Sequence, residues 1–164
     1  MAELTPNERL QPSLLDRLTD NSPQAATESR EDRVLSFRQL RKSVIRDLEW
    51  LLNTGRLETT EDLSAYPEVR RSVLNYGIPD IAGTTASSMD AYQLELALRQ
   101  AILDFEPRIL PHNLRIQIIR DDKEMSIHSI VLEIEGEIWG QPVPEHLYLK
   151  TVLDLELGQF QFPE

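Results

Sequence analysis

The chain has 164 residues, enough to bury one sizeable core and short for two. A formal charge of −11 and the absence of cysteine exclude a broad basic surface for phosphates, a disulfide framework and a thiolate metal site, and they suit a reducing compartment such as the cytoplasm. The opening Met1-Ala2-Glu3-Leu4-Thr5-Pro6 carries neither a basic nor an apolar leader, and no apolar run approaches the roughly 20 residues of a membrane span, so a basic protein partner is expected rather than nucleic acid or membrane insertion.

Residues 12–18 predict a two-turn helix with Leu14, Leu15 and Leu18 on one side. Such a helix is too short to persist alone, so it needs a surface, either on a partner or on its own domain. Residues 20–33 are polar, carry Pro23 and lack an apolar period, which predicts a flexible linker. The organisation expected is a docking segment at 1–19, a linker at 20–33 and a compact α+β domain at 34–164.

Ser36 and Gln39 have capping-box spacing, and Leu40, Val44, Leu48, Leu51 and Leu52 follow at helical spacing. This first long helix should stop near Asn53-Thr54-Gly55, with Gly55 closing it in the left-handed conformation. Pro67 suits the first position of a shorter helix carrying Val69, Val73 and Leu74 and ended by Gly77 and Pro79. An ordered loop then leads to Ser87 or Ser88 as the cap of a second long helix, striped by Ala91, Leu94, Leu98, Ile102 and Phe105.

That helix runs into Phe105-Glu106-Pro107-Arg108. A proline disfavours the helical conformation of the residue before it and fixes its own φ, so the joint is stiff and carries two opposite charges. Beyond it the apolar period falls to two. Leu114, Ile116 and Ile118 alternate with Arg115 and Gln117, and Asp121-Asp122-Lys123 supplies a polar turn. Ile130, Leu132 and Ile134 oppose Val131, Glu133 and Glu135, with Gly136 as a bulge before Ile138-Trp139. Leu147, Leu149, Thr151, Leu153, Leu155 and Leu157 then predict an unusually long final strand. Helices first and strands afterwards give an α+β class, an antiparallel sheet packed on two long helices. Residues 121–164 concentrate the negative charge, with ten carboxylates against Lys123 and Lys150.

Catalytic chemistry finds little support. His112, His128 and His146 show no ligand spacing, so neither metal nor cofactor is expected. There is no G-x-S-x-G elbow and no glycine-rich phosphate cradle. Asp104 and Glu106 are the nearest carboxylate pair for glycoside hydrolysis, but Arg108 beside Glu106 works against a general acid at neutral pH. Glu133, Glu135 and Glu137 read as a solvated acidic face. No catalytic residue is assigned. Glu106 and Arg108 therefore have two other readings, an ion pair that pins the helix exit or a charged fork that docks a partner. A long strand with a free edge favours docking, because strand addition satisfies such an edge.

Five runs carry a family resemblance: LLDRL at 14–18, SVIRDLEWLLNT at 43–54, SVLNYGIPDIAG at 72–83, FEPRILP at 105–111 and IEGEIWGQPVPEHLYLKTVLDLELG at 134–158. In this order they resemble the TssE family, baseplate subunits of bacterial type VI secretion systems similar to a wedge protein of contractile-tailed phages that is also labelled lysozyme-like. The resemblance implies a non-enzymatic subunit, monomeric in isolation and located in the cytoplasm at the membrane-proximal baseplate. It implies wedge partners TssF, TssG and TssK and sheath partners TssB and TssC, with a domain similar to the sheath's strand-exchanging handshake domain. It places wedge docking on Glu106, Pro107 and Arg108, joined by Leu14, Leu15 and Leu18. The sheath-facing sheet falls on residues 114–120, 127–139 and 146–157, with Leu149, Thr151, Leu153 and Leu155 on its contact strand. The competing expectations are a peptidoglycan hydrolase acting through Glu106, perhaps with Asp104, and an adaptor offering its acidic sheet to a basic partner.

Overall fold

A computed structural model describes residues 13–19, 37–85, 90–119, 129–140 and 143–162. Its elements are α1 (Leu14–Leu18), α2 (Phe37–Leu52), α3 (Pro67–Arg70) and α4 (Ala91–Phe105), then β1 (Arg115–Ile119), β2 (Ser129–Ile138), β3 (Glu145–Asp154) and β4 (Gln159–Gln161). The class is mixed α and β, with one four-stranded antiparallel sheet in the order β1-β2-β3-β4. Helices and sheet share one core. Leu40, Val44, Leu48, Leu51 and Leu52 of α2 and Leu94, Leu98, Ala101 and Ile102 of α4 join the alternate residues Ile116, Ile130, Leu132, Ile134, Leu147, Leu149 and Leu153 of the strands. The helical and two-residue periods in the sequence thus mark the faces that meet. Among the described residues no helix is long and apolar enough to cross a membrane.

Several local expectations need correction. Gly55 does not close α2 in the left-handed conformation; positive φ falls at Gly77, Gly83 and Gly158. Residues 54–56 instead run beside Ile78, whose N–H donates to the Thr54 carbonyl (2.8 Å) and whose carbonyl accepts from the Arg56 N–H (2.9 Å). The short helix begins at Pro67 as predicted but ends at Arg70. Ser72 leaves the helical conformation and its hydroxyl caps a separate 3₁₀ turn, Val73–Asn75; a serine that bonds local backbone competes with helix continuation in this way. Val73 and Leu74 are consequently exposed rather than part of an apolar face. Asp90 caps α4, its carboxylate accepting the Gln93 N–H at 3.1 Å. The serines expected there, Ser87 and Ser88, lie outside the described residues, as do Ser36, the linker at 20–33 and the turn at 121–123.

The sheet differs from expectation at two points. Gly136 makes no bulge: it pairs with Leu147 in a ladder unbroken from Ser129↔Asp154 to Ile138↔Glu145. The long final strand ends at Asp154, where the Asp154 carboxylate accepts the N–H groups of Glu156 and Leu157, and Gly158 turns the chain back as β4. Alternating leucines therefore outlast the strand; Leu155 is buried at the turn and Leu157 is exposed.

Side chains from α2, α4 and the exit of α2 reach the edges of this sheet. Asn53 bonds both backbone groups of Phe160 in β4 (3.1 and 2.8 Å). Glu95 of α4 accepts the outward Ile118 N–H of β1 at 2.8 Å. Arg41 of α2 donates to the carbonyls of His146 and Tyr148 in β3, both at 3.4 Å. Because β4 pairs only with Val152–Asp154, the outer edge of β3 from Glu145 to Lys150 has no strand neighbour among the described residues.

Gly77 gives a test of the α2 exit. A Cβ there would lie 2.3 Å from the Thr54 carbonyl oxygen, at φ +123°. Gly77→Ala is expected to cost about 2 kcal/mol or more, read as a lower urea midpoint with an unchanged m-value.

Candidate functional site

The helix exit, α2 and α1 meet in one polar cluster. Asp16 on α1, Ser43, Arg46 and Asp47 on α2, and Glu106 and Arg108 after α4 form a connected chain of hydrogen bonds and ion pairs. Ser43, Arg46 and Asp47 stand at i, i+3 and i+4, so the helix presents them on one side.

Glu106 is the C-cap of α4, with φ −122° and ψ 77°. Its N–H still donates to Ile102, and its side chain is drawn inside, leaving the residue 3% exposed. A buried carboxylate requires a partner. Arg108 provides it: its backbone N–H and its Nε both donate to Glu106 Oε1 (3.2 and 2.7 Å), and its Nη2 to Oε2. Pro107 between them fixes φ. The remaining guanidinium donors reach α2, with Nη1 on the Ser43 hydroxyl (2.9 Å) and Nη2 on Asp47. One planar fork therefore ties the helix exit to α2, geometry a lysine would not reproduce. Burial opposes the charged form of Arg108, yet the hydrogen bonds and charges of Glu106 and Asp47 hold it firmly protonated.

The chain continues outward. Arg46 donates to Asp47 through Nε (2.9 Å) and Nη2 (2.8 Å), and to Asp16 through Nη1 (2.6 Å), while its guanidinium lies 5.1 Å from the Trp50 ring centre. Asp16 also accepts from the hydroxyls of Ser43 and Ser13, both at 2.6 Å. Burial works to raise the Asp16 pKa, but bonds from Arg46, Ser13 and Ser43 outweigh it and hold the carboxyl well below the usual carboxylate range. Tyr76 packs edge-on against Phe105 at 5.2 Å, and burial, with the charges of Asp47 and Glu106, pushes its phenol up.

The structure brings Glu106, Arg108 and α1 together. On α1 it leaves Leu14 (71%), Leu15 (43%) and Leu18 (74%) exposed. Leu149, Thr151, Leu153 and Leu155 are all buried, with the Thr151 hydroxyl donating to the Gln161 carbonyl; a partner at this strand meets backbone, not those side chains. Asp104 is exposed and accepts from Gln100, while Glu106 is enclosed, so the two carboxylates do not flank a cleft. His112 and His146 stand near Glu137 (4.0 Å) and Glu135 (3.3 Å), and His128 lies outside the described residues. Among the described residues no group of carboxylates and histidines is placed to hold a metal. Sequence reasoning missed Asp16, Ser43, Arg46 and Asp47. The available signal was Ser43 and Asp47 one position before the core residues Val44 and Leu48, polar where a helix face turns inward.

A family profile described as "Baseplate wedge protein gp25" matches residues 38–143. Comparison with curated proteins and with solved structures gives no significant match.

Two outcomes test the cluster. Arg108→Ala strands a buried carboxylate and is expected to destabilise the chain by about 3 kcal/mol, measured by denaturant unfolding; a cost below about 1 kcal/mol would show that Glu106 finds another partner. For Asp16 the sign follows from a depressed folded pKa: its contribution is complete above the unfolded value near 3.9 and is lost as pH falls below it. Amide chemical shifts of α1 should therefore hold from pH 7 to about 4 and move only in stronger acid.

Proposed function

The chain belongs to the baseplate wedge protein gp25 family, which contains the TssE domain, and on that premise we propose that it is a wedge subunit of a type VI secretion baseplate that helps to start the contractile sheath. The family assignment gives a structural role in a baseplate. The finer reading has the chain acting in the cytoplasm at the membrane-proximal baseplate, bound to TssF, TssG and TssK, with TssB and TssC sheath subunits added to its sheet.

The observation that carries this reading is the apolar face of α1. Three leucines are turned outward while Asp16 is turned inward onto α2. A short helix held by a polar residue and showing its apolar side is arranged for a hydrophobic groove on another protein. Glu106, Pro107 and Arg108 support docking by fixing the surface on which α1 rests, and the Arg108 side chain keeps 20% of its surface exposed. For the sheath, the outer edge of β3 at 145–150 is the natural place for an added strand, since among the described residues its outward backbone groups face no strand. The hydrolase reading gains nothing from Glu106, which is buried against Arg108.

The two contacts separate experimentally. In co-purification with TssF, TssG and TssK, Leu14→Ala combined with Leu18→Ala is expected to lose the complex without lowering the melting temperature. Retention of the complex would remove α1 from the wedge interface. Tyr148→Pro, which deletes an outward N–H on the β3 edge, is expected to leave wedge binding intact and to cut sheath assembly at least about tenfold. Normal assembly would exclude that edge as the template.

A further inference from the structure

We propose that the Asp16–Ser43–Arg46 bridge makes the presentation of the α1 leucines conditional on the seating of Arg108 in the Glu-Pro-Arg turn. The inference rests on the docking reading of α1 and adds its control.

Five residues cannot sustain a helix unaided, and the leucines of α1, being exposed, provide little of its anchorage. Among the described residues the hydrogen bonds joining α1 to the rest of the chain run through the Asp16 carboxylate, to the Ser43 hydroxyl and to Arg46. Arg108 bonds the first anchor directly and is linked to the second through Asp47. A serine hydroxyl has one proton and two lone pairs. Arg108 Nη1 and, at 3.4 Å, Arg46 Nη2 donate to the Ser43 oxygen, which directs its proton to Asp16. Asp47 binds Arg46 through one oxygen and Arg108 through the other. Withdrawing Arg108 frees the Ser43 hydroxyl to rotate and leaves Asp47 to draw Arg46 away from Asp16. Asp16, Ser43 and Arg46 are thus positioning residues, and disturbance at the helix exit is transmitted to α1 through two side chains, Ser43 and Asp47.

Backbone ¹⁵N relaxation on the full-length chain tests this in wild type, Asp16→Asn, Ser43→Ala and Arg108→Lys. The lysine keeps a charge beside Glu106 but cannot hold Ser43 and Asp47 together, so the core should survive, as unchanged β2 and β3 resonances would verify. In all three variants the order parameters of Leu15–Thr19 are expected to fall from near 0.85 to below about 0.6. If Asp16→Asn loosens α1 while Ser43→Ala and Arg108→Lys leave it rigid, or if none loosens it, the coupling is wrong. The docking reading fails separately. Leu14→Ala with Leu18→Ala should keep α1 ordered; a wedge complex surviving in that variant refutes docking by the leucines, whereas the relaxation result alone decides the coupling.

Discussion

Everything at the centre of this molecule follows from putting the Glu106 carboxylate where water does not reach. An ionised group so enclosed persists only with a fixed countercharge and its lone pairs occupied. Arg108, two residues on and oriented by Pro107, is the nearest group that can meet both demands, and doing so aims its other donors at Ser43 and Asp47. The pair is internal, yet it is not confined to one turn of chain. It fastens the end of α4 to the middle of α2 and, through Arg46, reaches Asp16 on α1. The two roles that the sequence leaves open for Glu106 and Arg108, pinning the helix exit and serving a partner, are therefore not exclusive: the first builds the surface that the proposed docking would use.

This has a bearing on how substitutions at the motif are read. Charge networks in a low-dielectric setting are strong when complete and costly when half made. A variant lacking Arg108 is expected to lose stability and the support of α1 together, so absence of a partner from such a variant would not locate the partner. The exposed leucines carry no comparable structural duty and report on contact more directly.

The parts of the fold governed by periodicity were legible in the sequence. Leu40 to Leu52, Leu94 to Ile102 and the alternating residues of β1 and β2 stand where spacing places them, because burial of a face is what spacing encodes. What failed was punctuation set by single residues: Ser72 ending α3 and Asp154 ending β3, whose side chains bond local backbone, and Gly77 rather than Gly55 taking positive φ. Leu155 and Leu157 continue the alternation of β3 because one is buried beneath the turn, so the pattern alone does not reveal where pairing stops. Glu106 and Arg108 were visible as a stiff charged joint. Their partners were not, since Ser43 and Asp47 lie more than 60 residues before Arg108 and nothing local joins the two segments.

The three side chains that cap the sheet edges, Asn53, Glu95 and Arg41, are unequal. Asn53 grips Phe160 through donor and acceptor at once, and Glu95 holds the Ile118 N–H at 2.8 Å, whereas Arg41 makes two long bonds from a partly exposed position. A guard of that kind blocks slow, accidental strand pairing between dilute copies, but it resists little when a strand is delivered at the high effective concentration of a tethered assembly. In the proposed role the sheet is protected by scarcity of the incoming strand rather than by a seal, and the β3 edge would accept a strand only where a baseplate has already gathered its neighbours.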